Sequence, residues 1–257
     1  MGVLNVTPDS FSDGGRYLEV DTAIARGFEL VAEGADLVDV GGESTRPGAS
    51  PVAPADELAR IEPVIRALAP VVRVSVDTRH AEVADAALTA GATLLNDVSA
   101  SLWPVAARHG AGWVAVHMAG TPTTMQDDPR YHDVVAEVTA FLVGRAEAAL
   151  AGGVGEVWID PGIGFGKRPE HNLALLAGVR ILAATGHPVL VGTSRKGFLG
   201  GLTGGAPVDD RLEASLASAV WAMSQGAGMV RVHDVAPTVQ AATLVGSDVA
   251  APVGSGQ

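Results

Sequence analysis

Residues 22–42 read TAIARGFELVAEGADLVDVGG, and this stretch decides the fold. Apolar residues recur three or four positions apart over Thr22–Glu33, which predicts an amphipathic helix. The pair Gly34-Ala35 follows, and a glycine at this point is typical of the turn that ends a helix. Asp36–Gly42 is a short aliphatic run, which predicts a strand. The stretch therefore predicts a helix that leads directly into a strand.

The same unit recurs along the chain. Gly-Ala pairs also precede predicted strands at Gly91-Ala92, Gly110-Ala111 and Gly226-Ala227. Aliphatic and β-branched runs predict eight strands, at Gly2–Asn5, Asp36–Gly42, Val71–Asp77, Thr93–Ser99, Trp113–Met118, Val157–Gly162, Val189–Ser194 and Met229–Asp234. Helical spacing of apolar residues predicts helices between them, at Thr22–Glu33, Asp56–Leu68, Ala81–Ala90, Asp133–Ala151, Glu170–Thr185, Arg211–Ser224 and Pro237–Leu244.

Apolar strands that alternate with helices are typical of a parallel sheet covered on both faces. Crossovers of this kind are right-handed, and eight of them can close into a barrel. We therefore predict an α/β fold, a single (β/α)8 TIM barrel with parallel strands over residues 1–246, followed by a disordered tail at 247–257. An open doubly wound sheet of eight strands is the alternative, because periodicity alone does not show closure.

Composition limits the class of protein. The chain has 257 residues, of which 47% are hydrophobic, a size at which an α/β barrel forms one domain. The formal net charge of −12 argues against a protein that coats nucleic acid or an anionic membrane. The sequence has no cysteine, no secretory signal pattern and no apolar run of membrane-spanning length. We therefore expect a soluble, cytoplasmic protein without disulfides or thiolate metal sites.

Polar residues stand at the ends of most predicted strands. They are Asn5, Asp39, Glu43, Asp77, Asn96, Asp97, His117, Asp160, Ser194, Arg195, Lys196, Arg231, His233 and Asp234. In a βα barrel the carboxyl ends of the strands meet at one face, and that face carries the catalytic groups. A single strand-end carboxylate often only caps the next helix. So many of them predict one polar site.

Eight blocks of sequence, in order, resemble the dihydropteroate synthase family. They are Met1–Gly15 (MGVLNVTPDSFSDGG), Asp39–Gly48 (DVGGESTRPG), Ser75–Thr78 (SVDT), Asn96–Ser99 (NDVS), His117–Gln126, Asp160–Lys167 (DPGIGFGK), Ser194–Lys196 (SRK) and Arg231–Val235 (RVHDV). The first two blocks are specific to this family. The Asp-Pro-Gly element and Asn96 also resemble the wider group of pterin-binding enzymes, which includes corrinoid-dependent methyltransferases.

The resemblance implies an α/β barrel enzyme of folate biosynthesis. Such an enzyme joins 7,8-dihydropterin-6-ylmethyl diphosphate to p-aminobenzoate, and it forms 7,8-dihydropteroate and pyrophosphate. We predict an SN1-like displacement that needs no strong general base, since an arylamine is neutral at pH 7 and carries its own lone pair. The family is commonly dimeric, so we expect a homodimer whose ligands are small molecules, without nucleic acid or membrane partners.

The pterin contacts follow from the resemblance and have a physical reason. A pterin presents amide and amino N–H groups on one edge, which suit a carboxylate acceptor, and by resemblance this is Asp160. Asn96 offers both a donor and an acceptor to the ring. Asp77 would face a ring N–H and stabilise the charge that develops on the pterin, and Lys196 would donate to a ring oxygen or nitrogen. The remaining implied pterin contacts are Phe165 and Gly192.

A departing diphosphate requires cations directed at the oxygens where charge accumulates. Arg231 and His233 alternate along one predicted strand, so both point to the same face. By resemblance they hold the diphosphate, and Asn5 ligates a Mg²⁺ that bridges it. Asparagine offers a neutral oxygen, which suits a hard cation that keeps waters and binds phosphate. The implied catalytic residues are Asp77, Lys196, Arg231 and His233.

Two loops follow the first and second predicted strands, and long loops at this face usually carry substrate contacts. By resemblance they close over the p-aminobenzoate. The residues assigned to that substrate and its loops are Asp9, Phe11, Asp13, Thr45, Arg46, Pro47 and Ser194.

Two other functions remain open. A non-catalytic pterin-binding paralogue would keep the pterin pocket without turnover, but it would not need the diphosphate contacts Asn5, Arg231 and His233. A pterin-dependent methyltransferase would not need the two specific loops. The glycine-rich run Gly162–Lys167 is not a nucleotide site, because a Walker A motif requires glycine where Pro161 stands and a dinucleotide motif requires glycine at Lys167.

Overall fold

Strands and helices alternate through the computed structural model, which describes residues 1–7, 16–44, 49 and 51–246. The strands are β1 (Gly2–Asn5), β2 (Leu37–Gly41), β3 (Arg73–Asp77), β4 (Leu94–Asp97), β5 (Gly112–Val116), β6 (Val157–Asp160), β7 (Leu190–Val191) and β8 (Met229–Val230). The helices are α1 (Arg16–Ala32), α2 (Pro54–Leu68), α3 (Ala81–Ala90), α4 (Trp103–His109), α5 (Val134–Ala151), α6 (Pro169–Ala177), α7 (Val179–Ala183), α8 (Gly197–Leu202), α9 (Leu212–Ser224) and α10 (Val235–Val245).

The strands follow one another in space in the order of the sequence. Strands β1 to β6 form one parallel sheet, and β7 pairs with β8 in a second. Two isolated parallel bridges join the sheets at both edges, Ile159 with Val189 and Gly2 with Val232. The Val3 amide also donates to the Val232 carbonyl at 2.9 Å. The first and last strands are therefore neighbours, as a barrel requires and an open doubly wound sheet does not allow.

All eight predicted strands are present, and most of them end earlier than predicted. The clearest case is the last strand, predicted as Met229–Asp234 but regular only over Met229–Val230. Beyond Val230 the regular pairing stops, although the Arg231 amide still donates to the Val191 carbonyl at 3.0 Å and Val232 forms the bridge with Gly2. His117, Ser194, Arg231 and His233 thus stand in the first residues of the following loops, whereas Asn5, Asp39, Asp77, Asn96, Asp97 and Asp160 lie within the strands.

Glycine ends four helices as predicted. The backbone φ angles of Gly34, Gly91, Gly110 and Gly226 are 99°, 121°, 63° and 101°, a region that side chains with a Cβ rarely adopt. At the first of these, the Ala35 amide donates to the Leu30 carbonyl at 3.0 Å, which closes the helix end. The Gly-Ala signal in the sequence therefore identifies where helices turn into strands.

Helix α1 begins at Arg16, six residues before the predicted start, and the helices differ from the prediction in three further places. The helix predicted over Glu170–Thr185 is divided into α6 and α7 at Gly178. The short helices α4 and α8, of seven and six residues, are not among the predicted helices. Short helices contain too few turns to show a periodic pattern. Within the described ranges, no helix is long and apolar enough to cross a bilayer.

The core has two layers. The larger lies between strands and helices, and the smaller fills the interior of the ring with Met1, Leu37, Leu94, Val98, Val114, Val116 and Leu190. Burial of such aliphatic side chains is the main source of stability in a fold of this size.

Asp97, one of the predicted strand-end carboxylates, has a structural role. It is fully buried, and its oxygens accept from the amides of Ser99 at 2.9 Å, Ser101 at 2.8 Å and Leu102 at 2.7 Å. The indole nitrogen of the buried Trp113 also donates to it, at 3.1 Å. Asp97 therefore fixes the turn between β4 and α4.

Candidate active site

A cavity of about 850 Å³ lies at the carboxyl ends of the strands. Eight of the predicted site residues line it: Asn5, Asp77, Phe165, Gly192, Ser194, Lys196, Arg231 and His233. Two more are buried close by: Asn96 is paired in register with Asp77, and Asp160 lies near Lys196. Asp9, Phe11, Asp13, Thr45, Arg46, Pro47 and the predicted tail 247–257 lie outside the described residues. The structure thus brings together every predicted site residue that it describes.

Arg231 connects opposite sides of the ring. Its Nε donates to Asp39 Oδ2 at 2.6 Å, and its Nη2 donates to Asp77 Oδ2 at 2.8 Å. Burial lowers the pKa of Arg231, but Asp39 and Asp77 raise it more, so the guanidinium stays charged. Two of its three nitrogens are engaged by carboxylates. Arg231 therefore stands next to the predicted pterin anchors as well as facing the cavity.

The carboxyl groups of the site are shifted toward neutrality. Burial raises the pKa of Asp77 to about 7, even though the neighbouring Arg231 lowers it. Burial also raises the pKa of Asp160, against the opposing charge of Lys196. Asp160 Oδ1 accepts the Gly162 amide at 2.7 Å, which fixes its orientation. A carboxyl group with a pKa near 7, such as that of Asp77, is common at functional sites, because it can exchange a proton near neutral pH.

Lys196 lies at the start of α8 and faces the loop that follows β6. Its Nζ donates to the Ile163 carbonyl and lies 4.7 Å from the centre of the Phe165 ring. Burial lowers the pKa of Lys196 to about 8, although Asp160 opposes this shift. Lys196 therefore holds the same loop from which Phe165 faces the cavity.

A second buried lysine is Lys167, which ends the block Asp160–Lys167 and to which the sequence assigns no role. Its Nζ lies 2.9 Å from His117 Nδ1 and donates to the Phe165 carbonyl at 3.0 Å. Burial lowers the pKa of Lys167 to about 7 and that of His117 to about 3, so the imidazole is neutral and accepts the bond. This contact ties the loop after β6 to the end of β5.

Ser194 joins two predicted subsites. Its hydroxyl oxygen accepts the backbone amide of His233 at 3.1 Å and lies 3.0 Å from His233 Nδ1. Beside it, Arg195 donates to both oxygens of Asp234, with Nε at 3.0 Å and Nη2 at 2.5 Å. These contacts fix the loop after β7 to the loop after β8. The predicted p-aminobenzoate contact thus lies next to the predicted diphosphate contact.

Glu43 anchors the second loop. Its carboxylate accepts from Arg79 Nε at 2.8 Å and from Nη2 at 2.9 Å, and its Oε1 accepts the Val52 amide at 3.1 Å. Glu43 stands before residues 45–47 and binds Val52 beyond them, so it links the two ends of this loop and ties them to Arg79. Nearby, Glu57 of α2 is fully buried, and burial raises its pKa to about 7 although the Thr78 hydroxyl lowers it.

Asn5 ends β1, is partly exposed and lines the cavity together with Arg231 and His233. Among the residues with described positions, the acidic and imidazole groups close enough to share an ion are Glu43, Glu57 and His80, a cluster that does not include Asn5. At Asn5 the described chain therefore offers one neutral oxygen. Such a donor fits a hydrated Mg²⁺ that takes its other ligands from phosphate and water.

Comparison with known proteins shows the family. A family model described as pterin binding enzyme matches residues 1–233. The chain is 48% identical to the dihydropteroate synthase of Mycobacterium leprae over 261 residues, which cover 96% of this chain and 92% of that relative. The chain belongs to the dihydropteroate synthase family. Members of this family transfer an alkyl group in folate synthesis, so the predicted enzyme class is confirmed.

Solved dihydropteroate synthases have the same architecture. The Xanthomonas albilineans enzyme with 4-aminobenzoic acid superposes with a TM-score of 0.91 at 46% identity, over 98% of this chain and 93% of that chain. The same enzyme in complex with 7,8-dihydropteroate gives a TM-score of 0.88 at 43% identity, over 98% and 94% of the two chains. The predicted TIM barrel is therefore confirmed, and the open sheet is excluded.

Proposed function

We propose that this member of the dihydropteroate synthase family condenses 7,8-dihydropterin-6-ylmethyl diphosphate with p-aminobenzoate by an SN1-like displacement. The observation that supports this most directly is the cavity in which Asp77 and Lys196 face Asn5, Arg231 and His233. A site for the pterin alone would not require the predicted diphosphate contacts Asn5, Arg231 and His233. Complexes of a similar enzyme with 4-aminobenzoic acid and 7,8-dihydropteroate agree with these substrates.

The pterin would bind against the buried carboxyl groups. Asp160 would accept the two N–H groups of the pyrimidine edge, and Asn96 would bond the adjacent edge. Phe165 would pack against the ring, as it already does against the Lys196 ammonium. Asp77, next to Asn96 in register, would stabilise positive charge on the ring as the leaving group departs.

The diphosphate would lie toward Asn5 and His233. In the reaction the bond between the methylene carbon and the diphosphate oxygen breaks, and the diphosphate leaves with the electron pair. His233 and the free edge of Arg231 would bind the phosphate oxygens as this charge develops. When Mg²⁺ is bound, Asn5 would be its protein ligand, and the ion would neutralise diphosphate charge.

The p-aminobenzoate nitrogen would then form a bond with the methylene carbon and lose one proton. We propose that Ser194 and the loops with Asp9, Phe11, Asp13, Thr45, Arg46 and Pro47 surround this substrate. The amine needs no strong base, because its lone pair is available at neutral pH. Glu43 would support this step by fixing both ends of the second loop.

Turnover tests the proposal directly. Purified protein with Mg²⁺ and both substrates should release pyrophosphate in proportion to dihydropteroate formed. Folded protein that binds dihydropterin without releasing pyrophosphate would instead identify a non-catalytic paralogue. For the residue assignments, Asp160→Asn should abolish dihydropterin binding, whereas Phe11→Leu should mainly weaken p-aminobenzoate. Equal, small effects of both substitutions on both substrates would contradict the assignments.

We also propose that the enzyme is a homodimer built on α9 and α10. These helices pack against each other, and Trp221 and Val239 expose 47% and 37% of their surface. Apolar side chains exposed on adjacent helices are typical of interaction surfaces. Light scattering after size-exclusion chromatography should give twice the mass of the 26.0 kDa chain, and Trp221→Glu should shift it toward the monomer.

A further inference from the structure

Asp39 is the one inward carboxylate of β2, and neither the family resemblance nor the proposed function gives it a role. It is fully buried and lies two residues before the end of β2, opposite Val3 of β1 and Ser75 of β3. Barrel interiors at this depth are filled mainly by branched apolar side chains. A carboxylate in this position therefore calls for an explanation.

Asp39 contacts two residues of the site from different strands. Its Oδ2 accepts Arg231 Nε at 2.6 Å and Asn96 Nδ2 at 3.0 Å. One oxygen thus connects the arginine that follows β8 with the asparagine of β4. Arg231 is held at its Nε by Asp39 and at its Nη2 by Asp77, so the plane of the guanidinium is fixed.

The contact with Asn96 also decides which way its amide faces. A carboxylate that binds a guanidinium can only accept hydrogen bonds, so the NH₂ end of Asn96 must point to Asp39. The Asn96 carbonyl oxygen then points away, and in the described part of the chain this buried oxygen has no hydrogen-bond partner. An unpaired buried acceptor of this kind is costly unless a ligand donates to it.

From this geometry we propose that Asp39 is a positioning residue, which turns Asn96 so that it presents an acceptor to an N–H group of the pterin and holds Arg231 beside it. The inference rests on the proposed function, because the ligand is its pterin. It changes the role of Asn96, which the sequence alone describes as both donor and acceptor. The site then selects a ring edge with N–H donors at this point, in agreement with the carboxyl group of Asp160.

The test is Asp39→Asn, which preserves shape but can donate as well as accept. An amide at position 39 can turn and donate to the Asn96 carbonyl, which would present the NH₂ end of Asn96 to the ligand. Binding is measured by calorimetry with 7,8-dihydropterin lacking the diphosphate. We expect the affinity of Asp39→Asn to fall by about tenfold or more, the cost of a mismatched buried hydrogen bond. Unchanged affinity would overturn the proposal.

Two further variants separate positioning from general stabilisation. Asp97→Asn changes an equally buried carboxylate that bonds the turn after β4 and the Trp113 indole but neither Asn96 nor Arg231, so it should lower thermal stability without changing dihydropterin affinity. The double variant Asp39→Asn with Asn96→Asp exchanges the two side chains. It again contains one carboxylate and one amide, and the carboxylate at position 96 presents an acceptor to the ligand. It should bind dihydropterin more tightly than Asn96→Asp alone, a comparison that stands even where Asp39→Asn does not fold. Equal affinity of these two variants would contradict the proposal.

Failure of the inference and failure of the proposed function give different results. If wild-type protein binds dihydropterin and releases pyrophosphate but Asp39→Asn behaves like wild type, only the role of Asp39 is wrong. If wild-type protein binds no dihydropterin, the proposed function itself is wrong.

Discussion

Asp77 and Arg231 form an ion pair of 2.8 Å although 154 residues separate them in the sequence. Asp77 ends β3 and Arg231 directly follows β8, so the pair spans the ring beside the cavity. Asp39 completes the arrangement from β2. Asp39 is fully buried and Asp77 is partly exposed to the cavity, and both pair with the same guanidinium. The stability of the barrel and the shape of the site therefore depend on the same contact.

Loss of this guanidinium should destabilise the protein strongly. Arg231→Met would leave Asp39 fully buried and Asp77 at the cavity wall without their cation, and we expect the free energy of unfolding to fall by about 3–5 kcal/mol. Urea denaturation measures this free energy of unfolding in each variant. Arg66→Met is the control, because Arg66 pairs with Glu62 on the exposed face of α2 and should cost less than about 1 kcal/mol. Similar losses of unfolding free energy in the two variants would contradict a stabilising role for the Arg231 guanidinium.

A methyl group at Gly162 should not be tolerated. Its φ angle is +63°, and a Cβ would lie 1.8 Å from the His117 carbonyl oxygen, so either the loop or β5 must move. We expect Gly162→Ala to lower the free energy of unfolding by about 3 kcal/mol or more and to weaken dihydropterin binding. At Gly155, by contrast, a Cβ meets no atom within 4 Å. Gly155→Ala should therefore have the stability of the wild type. Thermal denaturation of both variants measures the difference.

The stability of the protein should depend on the titration of Glu57. Burial raises its pKa from 4.5 to about 7, so the folded state binds a proton more tightly than the unfolded state does. The resulting stability is present below pH 4.5 and is lost as the pH rises to about 7. Glutamine cannot ionise, so Glu57→Gln should be more stable than wild type by about 3 kcal/mol above neutral pH, with no advantage in acid.

Denaturant unfolding at a series of pH values measures this difference. Glu62→Gln, on the same helix but with 37% of its side chain exposed, is the control and should show no such pH dependence. A difference between Glu57→Gln and wild type that stays constant from acid to neutral pH would contradict the assignment.

The proposed role of Asn5 predicts how turnover depends on the concentration of Mg²⁺. If Asn5 is the protein ligand of a Mg²⁺ that also binds diphosphate, Asn5→Ala should raise the Mg²⁺ concentration for half-maximal turnover by about tenfold or more. The affinity for 7,8-dihydropterin without diphosphate should not change. Titration of Mg²⁺ against pyrophosphate release gives the first quantity, and calorimetry gives the second. An equal loss in Mg²⁺ response and in dihydropterin affinity would mean that Asn5 maintains the shape of the cavity and does not bind the ion.

Strands, helices and most site positions could be predicted because they depend on local rules. The Gly-Ala pairs identify helix ends since only glycine adopts their positive φ angles at low cost. The strand-end residues Asp77, Lys196 and His233 could be named as neighbours because parallel strands end at one face. The helix α8 was missed because its six residues include three glycines and show no apolar period.

The sequence by itself determined that the chain alternates strands and helices, and which polar residues end the strands. Only the tertiary structure decided which partners each of those residues binds. Asp97 and Asp39 are both buried strand-end carboxylates, yet Asp97 binds the amides of its own turn and Asp39 binds Arg231 and Asn96 from distant strands. Periodicity reports which way a side chain points, but hydrogen-bond partners far apart in sequence are set by ring closure. That closure brings β8 next to β1 and places one guanidinium between two carboxylates.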